Sequence, residues 1–320
     1  MKKDVLYSNL LQEIRRKVPH SPKLTNVLVK LLMMEKEAVY RRLRGDVPFT
    51  FHEIAIVAKE FGLSLNNIVG IDSEKSRPFQ LKINDYTYPD EVDYKMFEDE
   101  IEMLRLAKND DSSMAEASNI LPQSLVMDFN YIAKFYFFKW DYHQNERNQM
   151  KSFGEFNIPD RILKLQRDLN QEIKNIKYSF YVWDHFIFQY LVNDIKYLAE
   201  MYLLTPEDLL LLKDDLYQFL EYAENIAIKG VYPDTRNKVH LYISDVNIET
   251  NYSYIKTHNQ QISKIRSFVL NSLVSHDPRS FEHVKSWINS LKRTSTLISV
   301  SGEKQRMQFF EKQREIINSL

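Results

Sequence analysis

Glycine is scarce in this chain, with six in 320 residues, and three of them (Gly45, Gly62 and Gly70) fall within the first seventy. Each of the three stands where a helix is expected to end or turn, the place where a left-handed backbone suits glycine alone. Such a sequence has neither a G-x-G-x-x-G turn nor a Walker-type phosphate loop. It predicts a mainly α fold: an N-terminal five-helix domain of residues 1–70, a linker over 71–95, and a larger helical domain over 96–320 with room for one β-hairpin.

The helix signals are densest at the N-terminus. Leu6, Leu10, Leu11 and Ile14 recur at helical spacing before Pro19 stops the run. Ser21 and Pro22 suit the cap and first position of a second helix, whose apolar face is Leu24, Val27, Leu28, Leu31 and Leu32. A third runs through Ala38, Val39 and Leu43 to Gly45, and Pro48 prevents its continuation. Thr50 with Glu53 three residues on is a capping box that opens a fourth, striped by Ile54, Val57, Ala58 and Phe61 and ended at Gly62. Ser64 then caps a short fifth helix carrying Leu65, Ile68 and Val69.

Two stretches make this pattern specific: Val39-Tyr-Arg-Arg-Leu-Arg-Gly45, and Ile54-Ala-Ile-Val-Ala-Lys-Glu-Phe-Gly-Leu-Ser-Leu-Asn-Asn-Ile-Val69. Together they make Leu24 to Val69 resemble the DNA-binding domain of the phage-repressor/XRE-type helix-turn-helix family. The resemblance implies a recognition helix around Val39–Gly45 that lies in the major groove, in a sequence-specific transcriptional regulator that reads double-stranded DNA as a homodimer. Two positions depart from it. The family's turn has glycine where Met33 stands, which predicts a reshaped turn, and it has glutamine where Thr25 stands, a shorter reach to phosphate.

In that geometry Glu35, Lys36, Glu37, Tyr40 and Arg41 point outward at the start of the recognition helix. Arginine or lysine reads guanine there, and a carboxylate accepts from cytosine N4. Glu37 and Arg41, four apart, are expected to pair and fix the arginine fork. Arg42 and Arg44 fit phosphate contacts, which position without specifying, and Thr25 joins them as the family's second-helix contact. The charge agrees: residues 1–70 hold 12 Lys and Arg against 7 Asp and Glu, leaving 31 against 37 elsewhere. A basic module on an acidic body is the footprint of a local phosphate-binding surface. The alternative is a helix-turn-helix that docks a partner protein.

Beyond residue 95 periodicity predicts helices over 92–108, 125–144, 159–175, 178–202, 206–228, 258–274, 280–293 and 303–318. Thr205-Pro206-Glu207-Asp208 is a well-formed helix start. Val239–Ser244 and Tyr252–Ile255 alternate and suggest the hairpin. Aromatic residues crowd 129–142 and 178–190, as in buried helices or a subunit interface. The layout, a small DNA-binding head on a long helical domain, is similar to peptide-sensing regulators with helical-repeat receptor domains. It points to a small-molecule or peptide effector and to dimerisation through residues 96–320.

No chemistry beyond binding is legible. The chain has no cysteine, and its eight histidines form neither an H-x-x-x-H nor an H-E-x-x-H pair. Trp183-Asp184-His185 and Ser275-His276-Asp277 are neighbours in sequence, which does not make a spatial triad. The expectation is therefore no enzyme, no cofactor and no metal. With no membrane-length apolar run and no signal peptide, a cytoplasmic location is expected.

Overall fold

The computed structural model describes residues 5–17, 21–63, 68, 77–106, 111–144, 151–258 and 260–320. The chain divides into two units, Met1–Pro78 and Phe79–Leu320.

In the first unit four helices follow the sequence punctuation: α1 (Val5–Lys17), α2 (Ser21–Leu32), α3 (Lys36–Arg44) and α4 (Phe51–Phe61). The fifth helix expected from Ser64 lies outside the described residues except at Ile68, which is buried. Ile14, Leu28, Val39 and Val57 have no exposed surface and form the centre of the core, each contributing about 1.5–3 kcal/mol by burial. Gly45 and Gly62 end α3 and α4 in the left-handed conformation, with φ of 84° and 60°. Thr50 and Glu53 form the expected capping box. Met33 adopts a left-handed backbone at φ 51°, and the Met34 N–H closes α2 on the Val29 carbonyl.

The second unit overturns the mainly α expectation. It is built on an eight-stranded mixed sheet. Its strands are β1 (Gln80–Lys82), β2 (Ser113–Ser118), β3 (Tyr178–Trp183), β4 (Lys238–Ser244), β5 (Tyr252–Lys256), β6 (Gln261–Ser267), β7 (Asn271–Ser275) and β8 (Ser295–Leu297). They lie in the order β1-β7-β6-β5-β2-β3-β4-β8. β2, β3 and β4 run parallel; every other pairing is antiparallel. The fold is α/β, and neither "all-α" nor a helical-repeat receptor describes it. Residues 79–95, assigned to the linker by sequence, supply strand β1 and the start of a helix to this unit.

The helices of the unit are α5 (Glu91–Leu106), α6 (Gln123–Val126), α7 (Asn130–Gln144), α8 (Asp160–Lys174), α9 (Gln189–Glu200), α10 (Pro206–Lys229), α11 (Pro278–Arg293) and α12 (Glu303–Asn318). Two predicted helical spans fail, and so does the predicted hairpin. The span 178–202 opens as β3, a strand covered on both faces: Phe180 and Val182 pack under α11, Tyr181 and Trp183 in the larger core on the other side. The span 258–274 contains β6 and most of β7, paired antiparallel. Val239–Ser244 and Tyr252–Ile255 are both strands but do not form a hairpin, since β4 pairs with β3 and β8 while β5 pairs with β2 and β6.

One helix seals the sheet on one side. Asp277 caps α11 by accepting from the Ser280 N–H, Pro278 starts it, and Phe281, Val284, Ile288 and Leu291 lie along its buried stripe. The aromatic segment 129–142 is core: in α7 Phe135, Tyr136, Phe137, Phe138 and Trp140 are all buried. No helix among the described residues is long and apolar enough to cross a membrane.

Candidate functional site

Burial decides which face of α3 is available. Val39 and Leu43, four apart, are buried, so Lys36, Glu37, Tyr40, Arg41 and Arg44 lie on other faces of the helix. Its C-terminal end is held from α1. The Arg15 Nη2 donates to the Leu43 carbonyl at 2.8 Å, and the Tyr7 hydroxyl donates to the Arg42 carbonyl at 2.9 Å. The same hydroxyl accepts the Phe49 N–H at 3.1 Å, which ties the loop after α3 to the bundle.

Of the residues expected to touch DNA, two are placed elsewhere. Thr25 has no exposed surface and belongs to the interior, so it is not positioned to reach a phosphate. Arg42 turns inward: its Nε and Nη2 each bond the Glu53 carboxylate at 2.8 Å, and the guanidinium is largely buried. The Arg42 contact holds Glu53 below the usual carboxylate range, against the effect of burial. Arg42 therefore joins α3 to α4, with its guanidinium committed to Glu53.

The remaining six stay at the surface. Glu35 precedes α3 at its N-cap position and makes no side-chain cap. Lys36 sits 6.0 Å from the centre of the Tyr40 ring. Glu37 pairs with Arg44 at 3.2 Å, not with Arg41, and Arg44 also bonds Asp46 at 2.9 Å. Arg41 is exposed, and no ion pair engages its guanidinium among the described residues. The outward surface of α3 thus carries one committed cation, Arg44, and two available ones, Lys36 and Arg41.

The second unit holds a separate feature, a polar cavity of about 130 Å³. Strand alternation creates its floor. Register places Glu116 of β2 opposite Ser253 of β5, which faces Lys264 of β6, while Arg266 faces Ser272 of β7 and Ser272 faces Lys82 of β1. These residues share one sheet face and all line the cavity. Gln166 and Asn170 of α8 are among the residues that close it; they are four apart and buried. Lys264 donates to Glu100 of α5. Burial would push the Glu100 carboxyl up, but Lys264 first, and then Lys82 and His276, hold it below its ordinary value.

Glu116 behaves oppositely, since burial pushes its acid above the usual range despite Arg266, Ser124 and Lys264. A buried hydroxyl chain runs from it. The Ser124 hydroxyl donates to Glu116 at 3.2 Å, lies 3.1 Å from the Tyr181 hydroxyl, and Tyr181 lies 3.1 Å from Tyr232. Sequence reasoning missed this whole assembly. The signal available was polar Gln166 and Asn170 on the buried stripe of an otherwise apolar helix face, with Leu165 and Leu169 beside them.

In comparisons with known proteins, no family model matches the chain, and no curated protein or solved structure does.

Proposed function

We propose that this protein is a sequence-specific DNA-binding transcriptional regulator whose first unit reads the major groove through α3. One observation carries the reading. α3 is locked in place on its inner side by Val39, Leu43 and the Arg42–Glu53 pair, and presents Lys36, Tyr40 and Arg41, which forms no ion pair among the described residues, outward. A rigid helix with an uncommitted arginine at its surface has the equipment for base-edge contacts. Glu37 occupies Arg44 and so leaves Arg41 as the base reader, with Lys36 beside it.

The resemblance of residues 24–69 to the phage-repressor/XRE-type family supports the same reading and adds that the protein acts as a homodimer on paired half-sites, in the cytoplasm. Docking of a partner protein is the second reading, and it has Met33 and Phe51 in its favour, which are 93% and 80% exposed. Selection from a random-sequence duplex library separates the two. Enrichment of one motif, with affinity falling steeply as salt rises, is the expected result. No enriched motif and salt-insensitive binding overturn the DNA reading.

A further inference from the structure

The cavity of the second unit presents an unusual set of unsatisfied atoms. Arg266 Nη1, Gln123 Nε2, Asn170 Nδ2 and Asn251 Nδ2 are buried, line the cavity residues' side of the sheet and its cover, and have no hydrogen-bond partner among the described residues. Asn170 is 2% exposed and Asn251 5%. All four are donors. The Asn251 amide is oriented by its own Oδ1, which accepts the Asn119 N–H at 3.3 Å, so its NH2 group is left over. Buried donors without acceptors are costly, and a native site that gathers four of them calls for a group that supplies acceptors.

Charge points the same way. The cavity is lined by Lys82, Lys264 and Arg266 against Glu100 and Glu116. Lys264 and Glu100 neutralise one another by direct contact. That leaves two cations facing a single carboxyl. Apolar side chains, among them Phe97, Met114, Leu169 and Ile173, supply part of the remaining wall, interleaved with neutral polar groups. A cavity of about 130 Å³ is close in size to one that holds a benzene ring, so it accommodates roughly half a dozen non-hydrogen atoms.

We propose that this cavity is a binding site for a small organic carboxylate, whose anionic head is held by Arg266 and the Asn170, Asn251 and Gln123 amides and whose short hydrocarbon body lies against Met114, Leu169 and Ile173. The arginine supplies a directional donor for a carboxylate. The apolar part of the wall favours an organic acid over inorganic phosphate, which has no hydrocarbon surface to bury against it. The inference is independent of the DNA reading, because every residue in it belongs to the second unit and the readout is binding alone.

The test is isothermal titration of the full-length protein with acetate, butyrate, succinate and benzoate, and with inorganic phosphate as the purely ionic probe. At least one acid is expected to bind saturably at one site per chain, and more tightly than phosphate. Arg266→Gln is expected to weaken that binding about 10–100-fold, the loss that goes with one charged hydrogen bond. Asn170→Leu, which keeps the side chain's size and removes a donor, guards against misfolding of the first variant and is expected to weaken it several-fold. Lys304→Gln, an exposed change on α12, is expected to leave it unaltered. Saturable binding of none of the acids, meaning a cavity that holds only water, overturns the proposal. So does phosphate binding tighter than every acid, or unchanged affinity in both cavity variants.

Discussion

The Arg42 guanidinium lies against the Glu53 carboxylate in a two-pronged contact, Nε to Oε2 and Nη2 to Oε1, each 2.8 Å. Oε2 also accepts the Thr50 N–H at 2.9 Å, so one carboxylate caps α4 and anchors α3. The helix proposed to enter DNA is thereby oriented by the helix that follows it.

Removing that carboxylate should loosen both elements together. Glu53→Ala is expected to cost about 2–4 kcal/mol, combining a broken, mostly buried pair with a lost cap. The acid dependence has a definite sign. Because the folded carboxyl is held below its unfolded value near 4.5, the stabilisation is present above that pH and disappears as pH falls through the folded value. Hydrogen exchange of α4 amides between pH 3 and 6 should show this loss in the wild type and a flatter profile in Glu53→Gln.

Met33 tests the turn between α2 and α3. It is left-handed at φ 51° and 93% exposed, so its side chain has little packing to lose. Met33→Gly is expected to raise the stability of the first unit by up to about 1 kcal/mol, once the greater chain entropy of glycine is subtracted. Met33→Val is expected to lower it by about 1 kcal/mol or more, because a β-branched side chain tolerates this backbone least. Urea denaturation read by exchange at α2 and α3 gives both values, and a stabilising valine would contradict the argument.

Two glycines separate backbone conformation from crowding. Gly302, before α12, has φ 66°, and a Cβ there would sit 2.3 Å from the Leu297 carbonyl oxygen. Gly62, after α4, has φ 60° with nothing within 4 Å. Gly302→Ala is expected to cost about 3 kcal/mol or more, through strain plus a backbone clash. Gly62→Ala should cost only about 1 kcal/mol, for strain alone. Denaturation midpoints of the two units supply the comparison.

The DNA reading predicts a division of labour within one run of arginines. Arg41→Ala is expected to lower specific affinity by about 1–3 kcal/mol with unchanged stability and to relax sequence preference. Arg44→Ala, which removes a cation already paired with Glu37 and Asp46, should weaken specific and non-specific binding alike by less than Arg41→Ala and leave the salt slope nearly unchanged. Arg42→Ala should act first on stability. Fluorescence anisotropy over a salt series, beside thermal melting, distinguishes the three.

How much was legible depended on the sequence distance over which each decision was made. The capping boxes at Thr50/Glu53 and Thr205/Asp208 are readable because both partners lie within one helical turn. α10, α8 and α12 fall within a residue or so of expectation because their caps or stripes are local. β3 is different: a six-residue apolar run buried on both faces has no period that separates strand from helix. β2, Ser113-Met-Ala-Glu-Ala-Ser, contains no β-branched residue and yet sits at the centre of the sheet, paired to β3 and β5. Its strand character comes from neighbours far along the chain, in keeping with the context dependence of β-propensity.

The same division runs through the sites. The sequence alone determined the helices, caps and tight turns of the first unit and the charge of the α3 surface, since these rest on contacts between residues three or four apart. It could not separate Arg42 from Arg41 and Arg44, because that distinction is made by Glu53 on another helix. Nor could it bring Glu116 to Lys264 and Arg266, which lie about 150 residues farther along the chain and meet it only when an antiparallel meander is laid beside a parallel β-α-β core. Strand pairing and burial are long-range choices, and tertiary structure made them.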